Sequence, residues 1–505
     1  MPRLRLLAIG SVVAVMSGLP AAQQLPPRGP WFGLALPPGL ADPHQPVADV
    51  AAARPAPPRV PPGEEKHKDL AGEAIGKDLE AIVGFSKASR AAGEKAWGRI
   101  TGFPAAAATH QWVARQFTDA GLKSVSVQSY DSTAPTWNPK SWEVRLVGDA
   151  AYGAGSRDVV LESAFPTSGS QLSAGVLTAP LVYVGTTTDA ALPDVSVHGK
   201  VAVQHLKPAA GAFSERTRTT ERARALATRG AVAVLNVIEQ GGNMHVRDFS
   251  NCGVPCFNVG TADGLFLETA LARAKDLRVS IDLKTEMLPA LKGNNTVGIV
   301  PGRRADEAVI VNAHADGWFD AAGDNGDGLA VLVALARHFA KPENQTERTL
   351  VFVASGGHHG PGMNGPGNFV RMNPEIGSKT VLVLNLEHIA QLYFRIEPWR
   401  VEGAEQPMGF GISNEAPYIA AVAKRGMERY GFNLRPTFSS SIAGDLGGYA
   451  PLNVPRVQAI HSGPMYHTSG DVLETISVPG LERAARFYAY FVADVAQASR
   501  RDLQP

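Results

Sequence analysis

The sequence predicts an α/β fold: a mostly parallel, mixed central sheet with helices on both faces, interrupted by a β-rich insert domain. Two observations carry that class. From Asn294 onward, apolar runs alternate with helical patterns: AVIVNA (308–313), TLVFVA (349–354), TVLVLNL (380–386) and PRVQAI (455–460). Strands buried on both faces read as unbroken apolar runs, and helical crossovers between them imply parallel pairing. From Ser141 to Leu283 the texture differs. Short runs such as WEVRLV, APLVYVG, KVAVQHL and AVAVLNVI lie between Gly, Pro, Asp and Ser turns, with one helical stretch, ERARALATRG. That is the pattern of a β module with a helix against it.

The elements follow in chain order. MPRLRLLAIGSVVAVMSGLPAAQQ places Arg3 and Arg5 before an apolar stretch, Leu6 to Leu19, and small residues end at Ala21-Ala22. This is the layout of a secretory signal peptide over 1–22, its apolar part short for a bilayer; a membrane anchor is the competing reading. No cysteine lies near the cleavage region, which argues against lipid attachment there. Residues 23–65 are rich in Pro and Ala and lack apolar periodicity, as a semi-rigid tether would. Folding starts near Lys66, with helices predicted over DLEAIVGFSKASR and THQWVARQFTDAGL, the second stopping at Gly121. Further helices are predicted near 326–340, over NEAPYIAAVAKRGMERYG up to Gly431, and over VPGLERAARFYAYFVADVAQ. The chain thus divides into one α/β domain, 66–140 with 284–505, and an insert, 141–283.

Composition excludes more than it identifies. With 48 Lys+Arg against 47 Asp+Glu in 505 residues, the surface lacks the basic excess that nucleic acid demands. Loss of residues 1–22 removes two arginines and no acid, leaving a formal charge of −1. Two cysteines make no disulfide scaffold. Cys252 and Cys256, in CGVPC, are close enough for a strained local disulfide in an oxidising compartment, or are two buried thiols.

In open α/β sheets ligands collect beyond the carboxyl ends of the strands. After AVIVNA come His314, Asp316 and then Asp324-Asn325; after TLVFVA come His358 and His359. Glu387 and His388 follow TVLVLNL, and His461, His467 and Asp471 follow PRVQAI. Singly, each has a plainer reading: a hydrogen-bonded histidine, a helix cap at Asp324, half of an ion pair at Glu387. Their coincidence at four strand ends points to a metal. Mixed imidazole and carboxylate suits zinc, whose open positions bind and activate water. Asp316, two residues after His314, is placed to orient that imidazole.

Other motifs carry less. GPGMNG (360–365) fits G-x-G-x-x-G with Glu387 beyond it, but Pro366 and Pro374 compromise the helix a dinucleotide phosphate would need. Neither G-x-S-x-G nor H-E-x-x-H occurs. The insert has few clustered ionisable groups, and no chemistry is assigned to it.

HADGWFDAAGDNGDGLAVLVALARHF resembles the signature of the co-catalytic zinc aminopeptidases related to the glutamate carboxypeptidases. YHTSGDVLETI resembles the family's last ligand segment, and KAWGRITGFPAAAATHQWVARQF its N-terminal helical part. HGKVAVQHL and ALATRGAVAVLNVI make the insert similar to a protease-associated domain. The resemblance implies that His314 is the first ligand, Asp324 the bridging carboxylate, His467 the last ligand and Asp316 the orienting acid. The family's Glu-Glu pair, base then ligand, falls on His358-His359, and its remaining Asp ligand on Glu387. The implied set is therefore His314, Asp324, His359, Glu387 and His467 on metal, with His358 and Asp316 catalytic. Two zinc ions are implied if the site is complete, one otherwise. The expected function is a secreted or periplasmic, zinc-dependent exopeptidase of aminopeptidase type, acting on peptides or proteins without nucleic acid or, after signal removal, membrane. The alternatives are a catalytically inactive relative that binds metal or peptide, and a one-zinc glutaminyl cyclase-like enzyme.

Overall fold

The computed structural model describes residues 55–504, except 149–157, 188–190, 207–212, 240–242, 248–251, 274–275, 396–399, 406–407, 440–441, 443, 461–462 and 464. The expected signal peptide, most of the expected tether and His461 lie outside the described residues. Among the described residues no helix is long and apolar enough to cross a membrane.

Helices α1 (Gly72–Ala91) and α2 (Pro104–Asp119) lead into β1 (Lys123–Asp131). After the insert come β2 (Lys292–Val300), β3 (Arg304–His314), α3 (Asp327–Phe339), β4 (Arg348–Ser355) and β5 (Thr380–Leu386). The chain ends through β6 (Met408–Ile412), α4 (Pro417–Tyr430), β7 (Leu434–Phe438), β8 (Arg456–Ile460) and α5 (Val478–Val495). These strands form one sheet in the order β7-β6-β8-β5-β3-β4-β2-β1. The central strands β8, β5, β3 and β4 are parallel, and antiparallel pairs flank them. The fold is the mixed α/β class that the apolar runs imply.

Alternation along the strands explains the two layers. Val309, Val311 and Ala313 of β3 face the core shared with α1, α3 and α5. Ala308 and Ile310 face the opposite core, with Val351, Val353, Phe369 and Tyr449. α3 is buried along its length from Asp327 to Ala336, so its apolar residues run all round it. Phe352 of β4 has no exposed surface, and Phe352→Ala is expected to lower folding free energy by about 3–5 kcal/mol, measured by denaturant unfolding.

Register sets the strand ends level. His314 is opposite Ser355, Asn312 is opposite Asn385, and Leu386 is opposite Ala459. The segments that follow β3, β4, β5 and β8 therefore leave the sheet along one edge.

A second eight-stranded sheet is built wholly from strands between Thr136 and Leu288. Its two connections leave the main sheet side by side, because Asp131 at the end of β1 pairs with Lys292 at the start of β2. Trp97, Trp318 and Phe319 of the main domain pack into the insert's core. Cys252 and Cys256 are buried thiols without a disulfide between them; burial and the neighbouring Cys252 push the Cys256 thiol up.

Candidate metal centre

The carboxylate of Asp324 is the hub of the strand-end cluster. Its Oδ1 lies 3.3 Å from His314 Nε2 and 3.0 Å from His388 Nε2. Its Oδ2 lies 3.0 Å from His359 Nε2 and 3.3 Å from His467 Nε2. Glu387 Oε1 is 4.0 Å from both His314 Nε2 and His388 Nε2. The ligand atoms of His314, Glu387 and His388 lie within 4.8 Å of one another, as do those of Asp324, His359 and His467. Two groups of donors thus share one carboxylate, an oxygen to each. All five residues that the resemblance puts on metal are brought together.

Local structure fixes the hub. Gly323 N and Asp324 N donate to Asp471 Oδ1 and Oδ2 at 2.7 and 2.9 Å. Asn325 Nδ2 donates to Leu386 O at the end of β5 (2.8 Å), and Asn325 Oδ1 accepts from His388 N (3.3 Å). The fully buried Arg99 holds the same loop from below through Ala315 O, Asp320 O and Ala321 O. Burial raises the Asp471 carboxyl to about 7, with the Asp324 charge adding to that and the two amides opposing it. Asp471→Ala is expected to weaken metal affinity by about 10–100-fold, because such supporting groups set ligand orientation; competition with a chromogenic chelator reads it.

Asp316 acts differently from the expectation. His314 Nδ1 meets the Asp316 backbone carbonyl at 3.0 Å, and the carboxylate stands off at 3.7 Å. The carboxylate instead accepts from His358 N (3.3 Å) and His359 N (3.0 Å). On the turn out of β3 the peptide carbonyl reaches the imidazole first, which leaves the side chain to fix the loop after β4.

His358 stacks on His314, ring centroids 4.0 Å apart and planes at 10°. Its Nδ1 is 2.9 Å from Asp445 Oδ1, and its Nε2 is 3.7 Å from Glu387 Oε1. Asp445 Oδ2 also accepts from Ser355 Oγ (2.7 Å) and Asn312 Nδ2 (2.9 Å). Asn312 Nδ2 further donates to Asn385 Oδ1 (2.7 Å), and Asn385 Nδ2 to Glu387 Oε2 (2.8 Å). A buried polar chain therefore runs under the cluster and orients both Asp445 and Glu387. Burial pulls the His358 imidazole down, but Glu387 and Asp445 outweigh it and hold it well above its ordinary value.

His388, Asp445, Asn312 and Asn385 extend the expected set. The asparagines had a sequence signal, a polar residue inside each of two apolar runs, AVIVNA and TVLVLNL.

The donor set fits zinc. His314 Nε2 is buried and, among the described residues, makes no hydrogen bond although a carboxylate is beside it. Buried imidazole nitrogens and carboxylate oxygens gathered together are zinc's usual partners.

The insert reaches this centre as well. Arg247 N donates to His467 O (2.9 Å), Ser469 N to His245 O (3.0 Å), and Val246 bridges Thr468 antiparallel. Long-range pairing, invisible in its composition, ties the insert to the loop that carries His467.

The model of peptidase family M28 matches residues 295–492. No curated protein matches the chain. Solved structures share the fold. A peptidase M28 precursor from Shewanella amazonensis SB2B is 18% identical over 85% of this chain and 98% of its own, with a TM-score of 0.62. BSAP, a zinc aminopeptidase from Bacillus subtilis, is 19% identical over 86% and 98%, with a TM-score of 0.58. An aminopeptidase from Aneurinibacillus sp. strain AM-1 is 19% identical over 88% and 98%, with a TM-score of 0.54.

Proposed function

Residues 295–492 are a peptidase family M28 domain, and from that premise we propose that the chain is an exported, zinc-dependent exopeptidase of aminopeptidase type. The observation that carries this reading is Asp324, with one oxygen facing His314 and His388 and the other facing His359 and His467. His314, Glu387 and Asp324 would hold one zinc, and Asp324, His359 and His467 the other. When bound there, zinc supplies Lewis acidity toward water and the peptide carbonyl.

The residues divide the remaining work. His358 stands where related sites carry a carboxylate base. Asp445 holds its Nδ1–H, and the imidazole's proton affinity would fall beside bound zinc, leaving Nε2 to accept a proton from the attacking water and pass it to the departing amine. Asp316 keeps His358 and His359 in place through their backbone amides. Residues 66–140 and 284–505 form the catalytic domain, 141–283 a protease-associated insert, and 1–22 a signal that sends the chain to the periplasm or outside.

The test is metal content with turnover. The purified chain should hold about two zinc per molecule and hydrolyse an aminoacyl anilide, with chelation or His467→Ala abolishing turnover. Full zinc occupancy without cleavage of a broad peptide panel would replace this reading with a metal- or peptide-binding protein. The exchange of Glu for His358 favours that outcome.

A further inference from the structure

We propose that His67, Asp69 and His338 form a further metal site, which takes a divalent transition ion of the zinc class and ties the N-terminal end of the folded chain to the far end of α3. The inference does not depend on the peptidase reading, because none of the three residues belongs to the metal centre.

The position comes from two elements that meet. His67 immediately precedes a single 3-10 turn, Lys68–Leu70, and Asp69 lies within it. His338 is buried in the last turn of α3. One donor atom from each of the three lies within 4.8 Å of the other two; among the described residues, every other such group belongs to the metal centre. Asp69 Oδ2 is 3.2 Å from His338 Nδ1, and the two imidazoles meet edge to face with centroids 4.8 Å apart. α3 has 13 residues, so at about 1.5 Å per residue its ends stand about 20 Å apart. Asp324 lies just before one end, and His338 is at the other.

The donor chemistry selects the ion. Two imidazoles with one carboxylate suit zinc and its neighbours, whereas magnesium and calcium demand oxygen. The carbonyls at the carboxyl end of α3 add partial negative charge, which favours a cation there. Metal ligands must be deprotonated. Burial and the neighbouring His338 push the His67 imidazole down. Burial pushes the Asp69 carboxyl up, but His338 and Lys341 outweigh it and hold it below its ordinary value. Both imidazoles line a cavity of about 440 Å³, which gives an ion a way in and leaves room for water as a further ligand. The present cation is an ammonium: Lys341 Nζ lies 3.0 Å from Asp69 Oδ1, on a side chain 38% exposed that can swing into solvent. A dication held by three ligands displaces it. Just upstream, Glu64 accepts from Tyr430 Oη (2.8 Å) and Arg429 (3.1 Å) of α4, and its carbonyl accepts from Arg486 of α5 (3.2 Å). The ion would therefore fasten to α3 a segment already laid on α4 and α5.

The probe is zinc itself, titrated by calorimetry into full-length protein that keeps the zinc it carries on purification. One further equivalent should bind, and excess magnesium should not displace it. His67→Ala and His338→Ala should each weaken that equivalent by about 100-fold or more, since even a ligand's supporting partner is worth about 10–100-fold. Zinc carried on purification should be the same in both variants. Lys341→Ala should tighten the further equivalent, because it removes the competing ammonium. In thermal unfolding, zinc at about 100 times its dissociation constant should raise the folded-to-unfolded ratio about 100-fold, and His67→Ala should abolish that response. His67 is half-buried, so its variant keeps the test intact where His338→Ala fails to fold. A further equivalent that is lost with His67 and tightened by Lys341→Ala supports the proposal. No further equivalent in the wild-type protein, or one that persists in His67→Ala, overturns it.

Discussion

Asp324→Ala is expected to empty both metal positions together and to lower turnover by about 10³-fold or more, since Lewis-acid stabilisation is worth several kcal/mol and each 1.36 kcal/mol is tenfold. The reason is its sharing. Four imidazole nitrogens lie within 3.3 Å of its two oxygens. Without that carboxylate each side keeps neutral imidazoles, with only Glu387 carrying charge against a dication. Metal analysis after dialysis, alongside anilide turnover, reads the effect. Retention of one tightly held zinc together with more than a tenth of the activity would show that Asp324 serves one position only.

His358→Ala should lower kcat by about 10²–10⁴-fold, the usual contribution of a positioned base, and leave zinc content intact. The imidazole stacks on His314, with its Nδ1 engaged by Asp445, outside the shared carboxylate. Loss of zinc from this variant would make His358 a ligand and move the base elsewhere. Asp445→Asn should cost about 10–100-fold in kcat, as supporting partners do, with KM little changed. In a His358→Ala background the same substitution should cost nothing further, because residues that act as a unit are not additive.

The parallel strands and their two apolar faces were legible because runs such as AVIVNA and TVLVLNL have few other uses. His314, Asp324, His359, Glu387 and His467 were legible as a set because each follows a readable strand, and register brings those strand ends level. His388 was legible at a strand end but not as part of the metal set, because a positive φ of 52° is what turns its side chain to the same carboxylate that His314 faces. Asp445 was hidden because it sits in SSSIAGDLGG, where no strand or helical period announces a direction. The pairing of the insert with the His467 loop was hidden by distance along the chain, since His245 to Arg247 meet a segment far downstream. Local pattern reports what a residue's own element does. It does not report which remote loop lies opposite.

The bonds that lock the metal cluster join distant parts of the chain: Gly323 to Asp471 across 148 residues, His245 to Ser469 across 224. Such contacts are expected to close late in folding, after the long loops between them have lost their entropy. Zinc would therefore find its complete ligand set only in a nearly native chain. Added zinc should slow unfolding strongly and leave the refolding rate almost unchanged, as expected for interactions absent from the transition state. The metal centre would then act as a latch on a finished fold, with little part in nucleating it.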